Sequence, residues 1–416
     1  MRVCTSMLLL VALLSETAFC VTNDWPQFRG HLRNGRSHEH GLLESWPVGG
    51  PELLWTFEGL GTGFASVAVV EGSIYTTGMM DGQGYLFAID AGTGELKYKK
   101  HYGAEWTGSY PGARTTPTVD GDRLYLMSGR GRIACYKRET GRLVWEVDTL
   151  EKFGGENIKW GIAESVLING NDVYCTPGGK DATMVALNKH TGETVWTTKG
   201  LSALSSYCSP IFLSGNNVLV TMVRGFIICV RADTGEVLWT IPHETSNNIA
   251  AVTPLRCYEN RVYLTSHAKG GTMLRLVDGG AKYEALWKSD ELDPLHGGVL
   301  FDTEGTPSLY GADTKGNWVR QNASTGELIF KEKLIEGKGS IAYADGRLYC
   351  YSEKGTIGLV EPTKEGMKLV SSFAIEKGDG KHWGHPAISN AVLYIRHGDA
   401  LLAFDIKGPA RNNLDF

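Results

Sequence analysis

Several features that would point to common function classes are missing from this chain. Beyond the first twenty residues, no stretch is long and apolar enough to cross a bilayer. The net charge is −5 and no basic patch stands out, which argues against a protein that binds nucleic acid. The sequence has no Cys-x-x-Cys, no Gly-x-Ser-x-Gly and no His-Glu-x-x-His, so the corresponding zinc, thiol-redox and hydrolase sites have no support.

The first twenty residues have the pattern of a secretory signal peptide. A positive start at Arg2 is followed by the short apolar run Leu8–Leu14, and Cys20 ends a possible cleavage site. We therefore expect an exported protein, either periplasmic or extracellular. Phe19 is a poor fit to the small residue that lipid attachment at Cys20 would prefer, and membrane association is expected only if Cys20 is lipidated.

Six of the eight cysteines follow this leader and lie in different parts of the chain. An exported protein could pair them. Most lie inside apolar strand patterns, which favours free cysteines that pack as small buried apolar side chains. They are Cys135, Cys175, Cys208, Cys229, Cys257 and Cys350.

A repeated motif is the strongest signal in the sequence. Five Thr-Gly pairs are each followed by an aromatic residue five positions after the threonine. Successive pairs lie 47, 51, 43 and then 91 residues apart, the last being two periods. Such a period indicates a ring or stack of similar supersecondary units. The pairs and their aromatics are Thr93-Gly94 with Tyr98, Thr140-Gly141 with Trp145, Thr191-Gly192 with Trp196, Thr234-Gly235 with Trp239, and Thr325-Gly326 with Phe330.

Each period contains four short strand patterns joined by tight turns, which is typical of one blade of a β-propeller. The second strands begin near Ser73, Arg123, Asp172, Asn217, Arg261, Pro307, Arg347 and Val392, which predicts eight blades, with seven as the alternative count. The last period lacks a fourth strand. Residues 52–57 supply an unassigned one, and its entry into the last blade would close the ring and remove an exposed edge.

The expected organisation is a signal peptide at 1–20, an extended segment at 21–51, an all-β, single eight-bladed propeller of four-stranded antiparallel blades at 52–407, and a tail at 408–416. The segment Trp25–Gly30 contains two aromatics and is predicted to pack on the propeller. A role as a partner-binding arm is the alternative.

The string Ala232–Trp239, with the sequence ADTGEVLW, resembles the repeat of pyrroloquinoline-quinone-type β-propellers, and the resemblance covers roughly residues 52–407. One branch of that family contains quinoprotein alcohol dehydrogenases, and another contains the outer-membrane assembly lipoprotein, a scaffold that binds no quinone. Many dehydrogenases have two adjacent cysteines under the quinone and a calcium ion beside it. This chain has no adjacent Cys pair. Pyrroloquinoline quinone with calcium therefore lacks that support.

Residues that depart from the repeat cluster just before or within the innermost strands, where propellers bind ligands. Aromatic and ionisable side chains there could bind a sugar, a quinone or a peptide. The alternative is that they merely line a water-filled channel. The candidate ligand-binding residues are Trp106, Arg114, Trp160, Glu164, Asn248, His296, Lys338, His382 and His385. Tyr110, Tyr207 and Trp383 lie in the same stretches.

His382 and His385 also suggest two other sites. No third metal ligand lies near them in sequence, so we expect no metal. A channel histidine could act as a general base on a uronic acid, which makes a polysaccharide lyase one enzymatic hypothesis.

The leading hypothesis is a non-catalytic, monomeric, exported propeller that binds a protein partner or a small ligand on one face. A quinone-dependent dehydrogenase of alcohols or sugars and the lyase-like carbohydrate enzyme are the alternatives.

Overall fold

The computed structural model describes residues 23–258 and 260–409 of the chain, and the predicted signal peptide lies outside the described residues. Nearly all regular structure is β-strand. One short helix, α1 (Thr149–Phe153), and three single 3₁₀ turns interrupt it, at Ser214–Asn216, Ser246–Asn248 and Asp278–Gly280.

Thirty-two strands form eight separate four-stranded antiparallel sheets, which confirms the predicted eight-bladed propeller. Within blades 1 to 7 the strands follow chain order from the axis outward, with the innermost strand first. Blade 1 is β2 (Ala68–Val70), β3 (Ser73–Met80), β4 (Gln83–Asp90) and β5 (Leu96–Ala104); blade 2 is β6 (Thr118–Asp120), β7 (Arg123–Met127), β8 (Arg132–Lys137) and β9 (Leu143–Asp148); blade 3 is β10 (Leu167–Asn169), β11 (Asp172–Cys175), β12 (Val185–Asn188) and β13 (Thr194–Thr197); blade 4 is β14 (Ile211–Leu213), β15 (Val218–Val223), β16 (Gly225–Arg231) and β17 (Val237–His243).

The second half of the ring repeats this order. Blade 5 is β18 (Leu255–Tyr258), β19 (Arg261–Ser266), β20 (Gly270–Val277) and β21 (Lys282–Ser289); blade 6 is β22 (Leu300–Asp302), β23 (Ser308–Ala312), β24 (Trp318–Asn322) and β25 (Leu328–Glu332); blade 7 is β26 (Gly339–Ala344), β27 (Arg347–Ser352), β28 (Thr356–Pro362) and β29 (Met367–Ala374); blade 8 is β30 (Ala387–Ser389), β31 (Val392–His397), β32 (Ala400–Asp405) and β1 (Glu52–Glu58).

The last blade closes the ring as the sequence predicts. Strand β1 pairs antiparallel with β32, with Glu52 opposite Asp405 and Glu58 opposite Ala400. The first and last strands of the propeller therefore share one sheet, and the outer edge of blade 8 is built like those of the other blades.

The hydrophobic core is divided among the spaces between blades. Eight buried clusters can be distinguished, and each draws its side chains mainly from two neighbouring blades. Tyr75 and Leu86 of blade 1, for example, pack with Leu124 and Leu126 of blade 2. Burial of apolar area between sheets is the main favourable term in such a fold, so each blade depends on both of its neighbours.

The Thr-Gly motif and its aromatic meet between blades. Trp196 of blade 3 lies against Gly235 of blade 4, and its indole N–H donates to the carbonyl oxygen of Ala232 at 2.9 Å. A Cβ on Gly235 would lie 2.5 Å from the Trp196 ring, and Gly235 has a φ of +75°. Glycine is therefore required at this turn both by backbone conformation and by the close approach of the ring.

The same contact recurs around the ring. Trp55, Trp145, Trp239 and Trp287 each donate an indole N–H to a backbone carbonyl of the next blade, at 2.9–3.1 Å. In every blade the register shifts between the third and the outermost strand, and in all blades except blade 7 the shift lies beside the aromatic. Such bulges re-aim a side chain, here toward the neighbouring blade.

Residues 23–51, called here the N-terminal segment, pack on the propeller as predicted. Trp25 pairs with Val69 of blade 1, and the carbonyl oxygen of Pro26 accepts from Val119 of blade 2. Further along, Ser37 hydrogen-bonds Tyr343 of blade 7. The segment thus crosses the axis of the ring.

The six cysteines from Cys135 to Cys350 are buried and free. Burial raises the pKa of the Cys208 thiol to about 11, so it stays protonated at neutral pH. Among the described residues, no helix is long and apolar enough to cross a membrane.

Candidate functional site

A chain of hydroxyl groups joins the innermost strands around the axis. The backbone N–H of Ser66 donates to Thr116 Oγ1, that of Thr116 to Ser165 Oγ, that of Ser165 to Ser209 Oγ, and that of Ser209 to Thr253 Oγ1, at 2.9–3.4 Å. Each of these residues lies two positions before its innermost strand. We call this place the ring position. It fixes neighbouring blades to one another and determines where the side chains just upstream point.

Three of the eight blades depart from the hydroxyl pattern at the ring position. In blade 7, Gly337 lies two residues before β26. Gly298 precedes β22 and His385 precedes β30 by the same two residues. A Cβ on Gly298 would lie 1.7 Å from Arg29 Nη1 and 3.4 Å from His385 Cε1. The missing side chain of blade 6 is thus the space into which the N-terminal segment inserts its guanidinium.

Two arginines of the N-terminal segment are buried at the axis. Arg29 donates to the carbonyl oxygen of Val299, and Arg33 donates to the carbonyl oxygen of Ser165 at 2.8 Å and to that of Val166. Burial lowers the pKa of Arg29 to about 10 and that of Arg33 to about 9. Both remain charged at neutral pH and tie blade 6 and blade 3 to the segment.

Beside this insertion lies a mainly apolar cavity with a volume of about 350 Å³. It is formed by ring-position residues and by residues up to eight positions upstream of the innermost strands, with Phe28 of the N-terminal segment contributing one wall. We call it the aromatic pocket. Its six aromatic residues other than histidine are Phe28, Phe64, Tyr110, Trp160, Tyr207 and Trp383.

The aromatic rings form two groups. Trp383 contacts Phe64 and Tyr110, each with ring centroids 5.0 Å apart. Trp160 and Tyr207 form the second group at 5.8 Å. Within the described part of the chain, no acceptor takes a hydrogen bond from the indole N–H of Trp160 or Trp383, and both side chains are partly exposed.

Arg114 lies between the two groups. Its guanidinium donates to the carbonyl oxygens of Gly112, Tyr110 and Trp160, so it holds the backbone of both groups in place. Burial lowers the pKa of Arg114 to about 10, and the group stays protonated at neutral pH. No carboxylate of the described residues lies within ion-pair distance of it, although the nearby Glu105 opposes the lowering of its pKa.

His296 and Lys338 converge on one carboxylate at the pocket's edge. Glu353 lies 2.9 Å from His296 Nε2 and 3.5 Å from Lys338 Nζ. Burial raises the pKa of Glu353, but the contacts with His296 and Lys338 outweigh it and hold that pKa below its ordinary value. His296 lines the pocket, whereas Lys338 reaches it only through Glu353.

His385 forms part of the pocket wall. Its Nε2 lies 3.0 Å from the carbonyl oxygen of His296, which can only accept, so Nε2 carries the proton. Its ring also contacts Phe28 edge-on at 4.9 Å. Burial, with the nearby charge of Arg29, lowers the pKa of His385 to about 3, and the imidazole is neutral at any physiological pH.

His382 faces away from this pocket. It stacks on His397 with ring centroids 3.6 Å apart and hydrogen-bonds the Tyr351 hydroxyl at 2.7 Å. Trp106 is also separate, because its ring packs on Gly161 and its indole N–H donates to Ser109 at 3.1 Å. The two histidines that the sequence suggests as a pair thus belong to different environments.

Glu164 is fully buried beneath the ring position. Thr176 donates to it from both its backbone N–H, at 3.0 Å, and its hydroxyl. Burial raises the pKa of Glu164 to about 7, although Thr176 and the charge on Arg33 oppose the shift. This carboxyl group braces the N-terminal segment and is not accessible to a ligand.

Asn248 lies in a neighbouring depression of about 190 Å³, called here the amide pocket. It shares Tyr207 with the aromatic pocket and contains Lys159 and Arg224.

Of the nine candidate residues named from the sequence, four line the aromatic pocket, namely Arg114, Trp160, His296 and His385. Phe28 and Phe64 are pocket residues that the sequence did not single out. Phe64 comes directly after the glycine-rich stretch Gly59–Gly63. Nothing in the sequence indicates that Phe28 reaches the axis.

The pocket's donor set does not suit the quinone and calcium of the dehydrogenase branch. Calcium needs six to eight oxygen ligands, largely carboxylates and amides. Among the described residues that line the aromatic pocket there is no Asp, Glu, Asn or Gln side chain. Nor do three or more His, Cys, Asp or Glu side chains of the described ranges group together as metal ligands would.

These features define an eight-bladed propeller with an aromatic pocket at one end of its axis. A family model described as outer membrane protein assembly factor BamB matches residues 104–277. Among curated proteins, BamB of Shewanella oneidensis is 23% identical over 233 residues, and the quinoprotein alcohol dehydrogenase PedH of Pseudomonas putida is 26% identical over 217. Those matches cover 53% and 50% of this chain but 57% and 34% of the relatives' own lengths.

Among solved structures, BamB from Moraxella catarrhalis superposes with a TM-score of 0.62 at 14% identity, covering 85% of this chain and 99% of that one. At this identity the likeness shows the fold alone. The predicted resemblance to pyrroloquinoline-quinone-type propellers, with the outer-membrane assembly branch included, is confirmed.

Proposed function

We propose that this protein is an exported, non-catalytic propeller that binds a partner at its aromatic pocket. The observation that carries the proposal is the combination of an open aromatic lining with ionisable groups already engaged by other parts of the protein. Trp160 and Trp383 offer ring faces to a ligand, while Arg114, His296 and Glu353 are held by internal contacts. Apolar pockets with a few fixed polar groups are the usual form of a binding site.

The chemistry of the pocket argues against catalysis. A general base works best with a pKa near the operating pH, whereas burial lowers the pKa of His385 to about 3. His382, the other half of the lyase hypothesis, is engaged by Tyr351 and His397. The quinone hypothesis has no support from the pocket, because its described lining offers no carboxylate or amide side chain to bind calcium. The names of relatives, outer membrane protein assembly factors, support a protein as the partner.

Indole, the ring of a tryptophan side chain, is a simple probe of the pocket. We expect saturable binding by calorimetry with a Kd on the order of 1 mM, as for a fragment of nine heavy atoms. Trp383→Ala should weaken it about tenfold or more. The control Tyr283→Ala removes an exposed aromatic from outer strand β21 and should leave binding unchanged. Equal binding by both variants would refute the aromatic pocket as the site.

Turnover is the second test. The purified protein, titrated with pyrroloquinoline quinone and CaCl₂, is expected to show no dye-linked oxidation of alcohols or sugars above a heat-denatured control. Any enzyme-like rate would overturn the non-catalytic reading. Export is checked separately by mass spectrometry of the expressed chain, with cleavage after Cys20 expected and an intact leader contradicting it.

A further inference from the structure

The amide pocket gives the binding face a charged side. Lys159 Nζ lies 4.6 Å from the centroid of the Trp160 ring and 3.3 Å from Asn247 Oδ1. Arg224 is exposed and, within the described ranges, has no ion-pair partner. Arg114 adds a third positive charge at the backbone carbonyl of Trp160.

Carboxylates are missing where they would neutralise these charges. No Asp or Glu among the described residues lines either the aromatic pocket or the amide pocket. The chain as a whole is acidic, with a net charge of −5, so a cationic face is a local departure. Such a patch favours an anionic ligand and speeds its association.

We propose that the two pockets together bind an extended segment of a partner polypeptide in which an aromatic side chain stands next to acidic residues. The aromatic side chain enters between Trp160 and Trp383, and the acidic side chains meet Lys159 and Arg224. This inference rests on the proposed function and adds the chemistry of the partner to it.

Two observations favour a polypeptide over an acidic sugar. A sugar presents hydroxyl groups all round, but most of the aromatic pocket is apolar, and Arg114 and Ser66 already use hydrogen-bonding groups on backbone carbonyls. The amide of Asn248 makes no hydrogen bond within the described residues, and an amide can pair with a peptide backbone through both its donor and its acceptor. Because Lys159 adjoins Trp160 in both sequence and space, the acidic group must lie within one or two residues of the aromatic, at about 3.3 Å per residue.

The test uses synthetic decapeptides on a Gly-Ser background and the full chain. One peptide carries Trp-Glu-Glu, a second Ala-Glu-Glu, a third Trp-Gln-Gln and a fourth Trp-Lys-Lys. We expect the first to bind about tenfold more tightly than the second and third at low salt, and the fourth to bind more weakly still. Raising the salt should reduce the advantage of Trp-Glu-Glu over Trp-Gln-Gln.

Matched variants locate the charge effect. Lys159→Glu combined with Arg224→Glu should weaken binding of the Trp-Glu-Glu peptide at least about tenfold and should abolish its advantage over the Trp-Gln-Gln peptide. Lys288→Glu, a reversal on outer strand β21, should have no effect. Circular dichroism of the double variant checks that its exposed substitutions leave the fold intact.

The outcomes separate the two proposals. If indole binds but Trp-Glu-Glu and Trp-Gln-Gln bind equally, the acidic-aromatic partner is rejected while the aromatic pocket stands as a site. If trigalacturonate competes with indole at lower concentration than the Trp-Glu-Glu peptide does, the ligand is an acidic sugar and the polypeptide proposal is overturned. If neither indole nor any peptide binds, both proposals fail.

Discussion

Tryptophans occupy two different environments in this molecule. Those of the repeat, such as Trp196, lie between blades with the indole N–H bonded to the neighbouring blade and 8% of the residue exposed. Those of the axis, Trp160 and Trp383, have partly exposed rings and no acceptor for the indole N–H among the described residues. The first set is satisfied by the fold. The second set has ring faces and donors left over, which is what a binding site requires.

The difference shows why the repeat alone says little about function. Trp196 and Gly235 are determined by each other across one interface, and any propeller of this type needs such a pair. Trp160 takes no part in that contact between blades, since its ring lies against Tyr207 and its carbonyl oxygen accepts from Arg114. Function is therefore sought where the repeat is broken.

Replacing Trp196 should have the largest effect on stability. Trp196→Ala removes a buried ring and leaves the Ala232 carbonyl without its donor, so the free energy of unfolding should fall by about 3–5 kcal/mol. Trp160→Ala should cost less than about 1 kcal/mol, because its ring is partly in water. Guanidinium chloride unfolding compares the two. Similar losses of unfolding free energy in the two variants would show that the two environments do not differ in their contribution to stability.

The glycine on the other side of that contact gives the next largest effect. Gly235→Ala places a Cβ 2.5 Å from the Trp196 ring in a backbone with φ of +75°, and should cost about 2–4 kcal/mol. Gly200→Ala is the matched control, since Gly200 has φ of +72° with no atom within 4 Å of its Cβ position. It should cost about 1 kcal/mol from backbone strain alone. Equal costs would mean that the ring contact is unimportant.

Glu164 is buried near the axis, so replacing it tests the stability of the axis rather than that of the contacts between blades. Its folded pKa, raised to about 7 from 4.5, gives a contribution to stability that is complete below pH 4.5 and is lost as the pH rises through about 7. Glu164→Gln should therefore be about 1–3 kcal/mol more stable than the natural chain at pH 8, with no such gain at pH 4.5. Unfolding measured across this range checks it.

The control for that titration is Glu58→Gln, at an exposed position on β1. It should leave the pH dependence of stability unchanged. A Glu164→Gln profile parallel to that of the natural chain would show that folding does not shift the pKa of Glu164.

The smallest effect is expected for Lys338, which pairs with Glu353 at the edge of the aromatic pocket. Lys338→Met should change the unfolding free energy by less than about 1 kcal/mol, since its ion pair with Glu353 is partly exposed and 3.5 Å long. Indole binding should be unaffected, because His296 still holds Glu353. A loss of indole binding in this variant would place Lys338 in the site itself.

The fold was largely predictable because its determinants are local and repeated. Predicted starts of second strands at Ser73, Arg123 and Arg347 coincide with the observed ones, and β1 was assigned to blade 8 from its likeness to other outermost strands. Local strand alternation and turn residues determine such features within one period.

The site was predictable only in part, because the axis is assembled from parts distant in sequence. Arg114 and Trp160 could be proposed from their place before an innermost strand. Phe28 could not, since its position depends on Arg29 entering the space left by Gly298, some 270 residues away. His382 and His385 are only three positions apart in sequence, yet their side chains lie in different surroundings.

The pairing of β1 with β32 also links the closure of the ring to the synthesis of its last blade. Strand β1 is made before the other seven blades, but its partner at residues 400–405 is made only after them. Contacts between such distant segments form slowly, and until they do β1 is an unpaired edge strand that can join other chains. A chain truncated shortly before residue 400 would keep seven complete blades and still lack a closed ring. Its defect would therefore be aggregation rather than the loss of one blade.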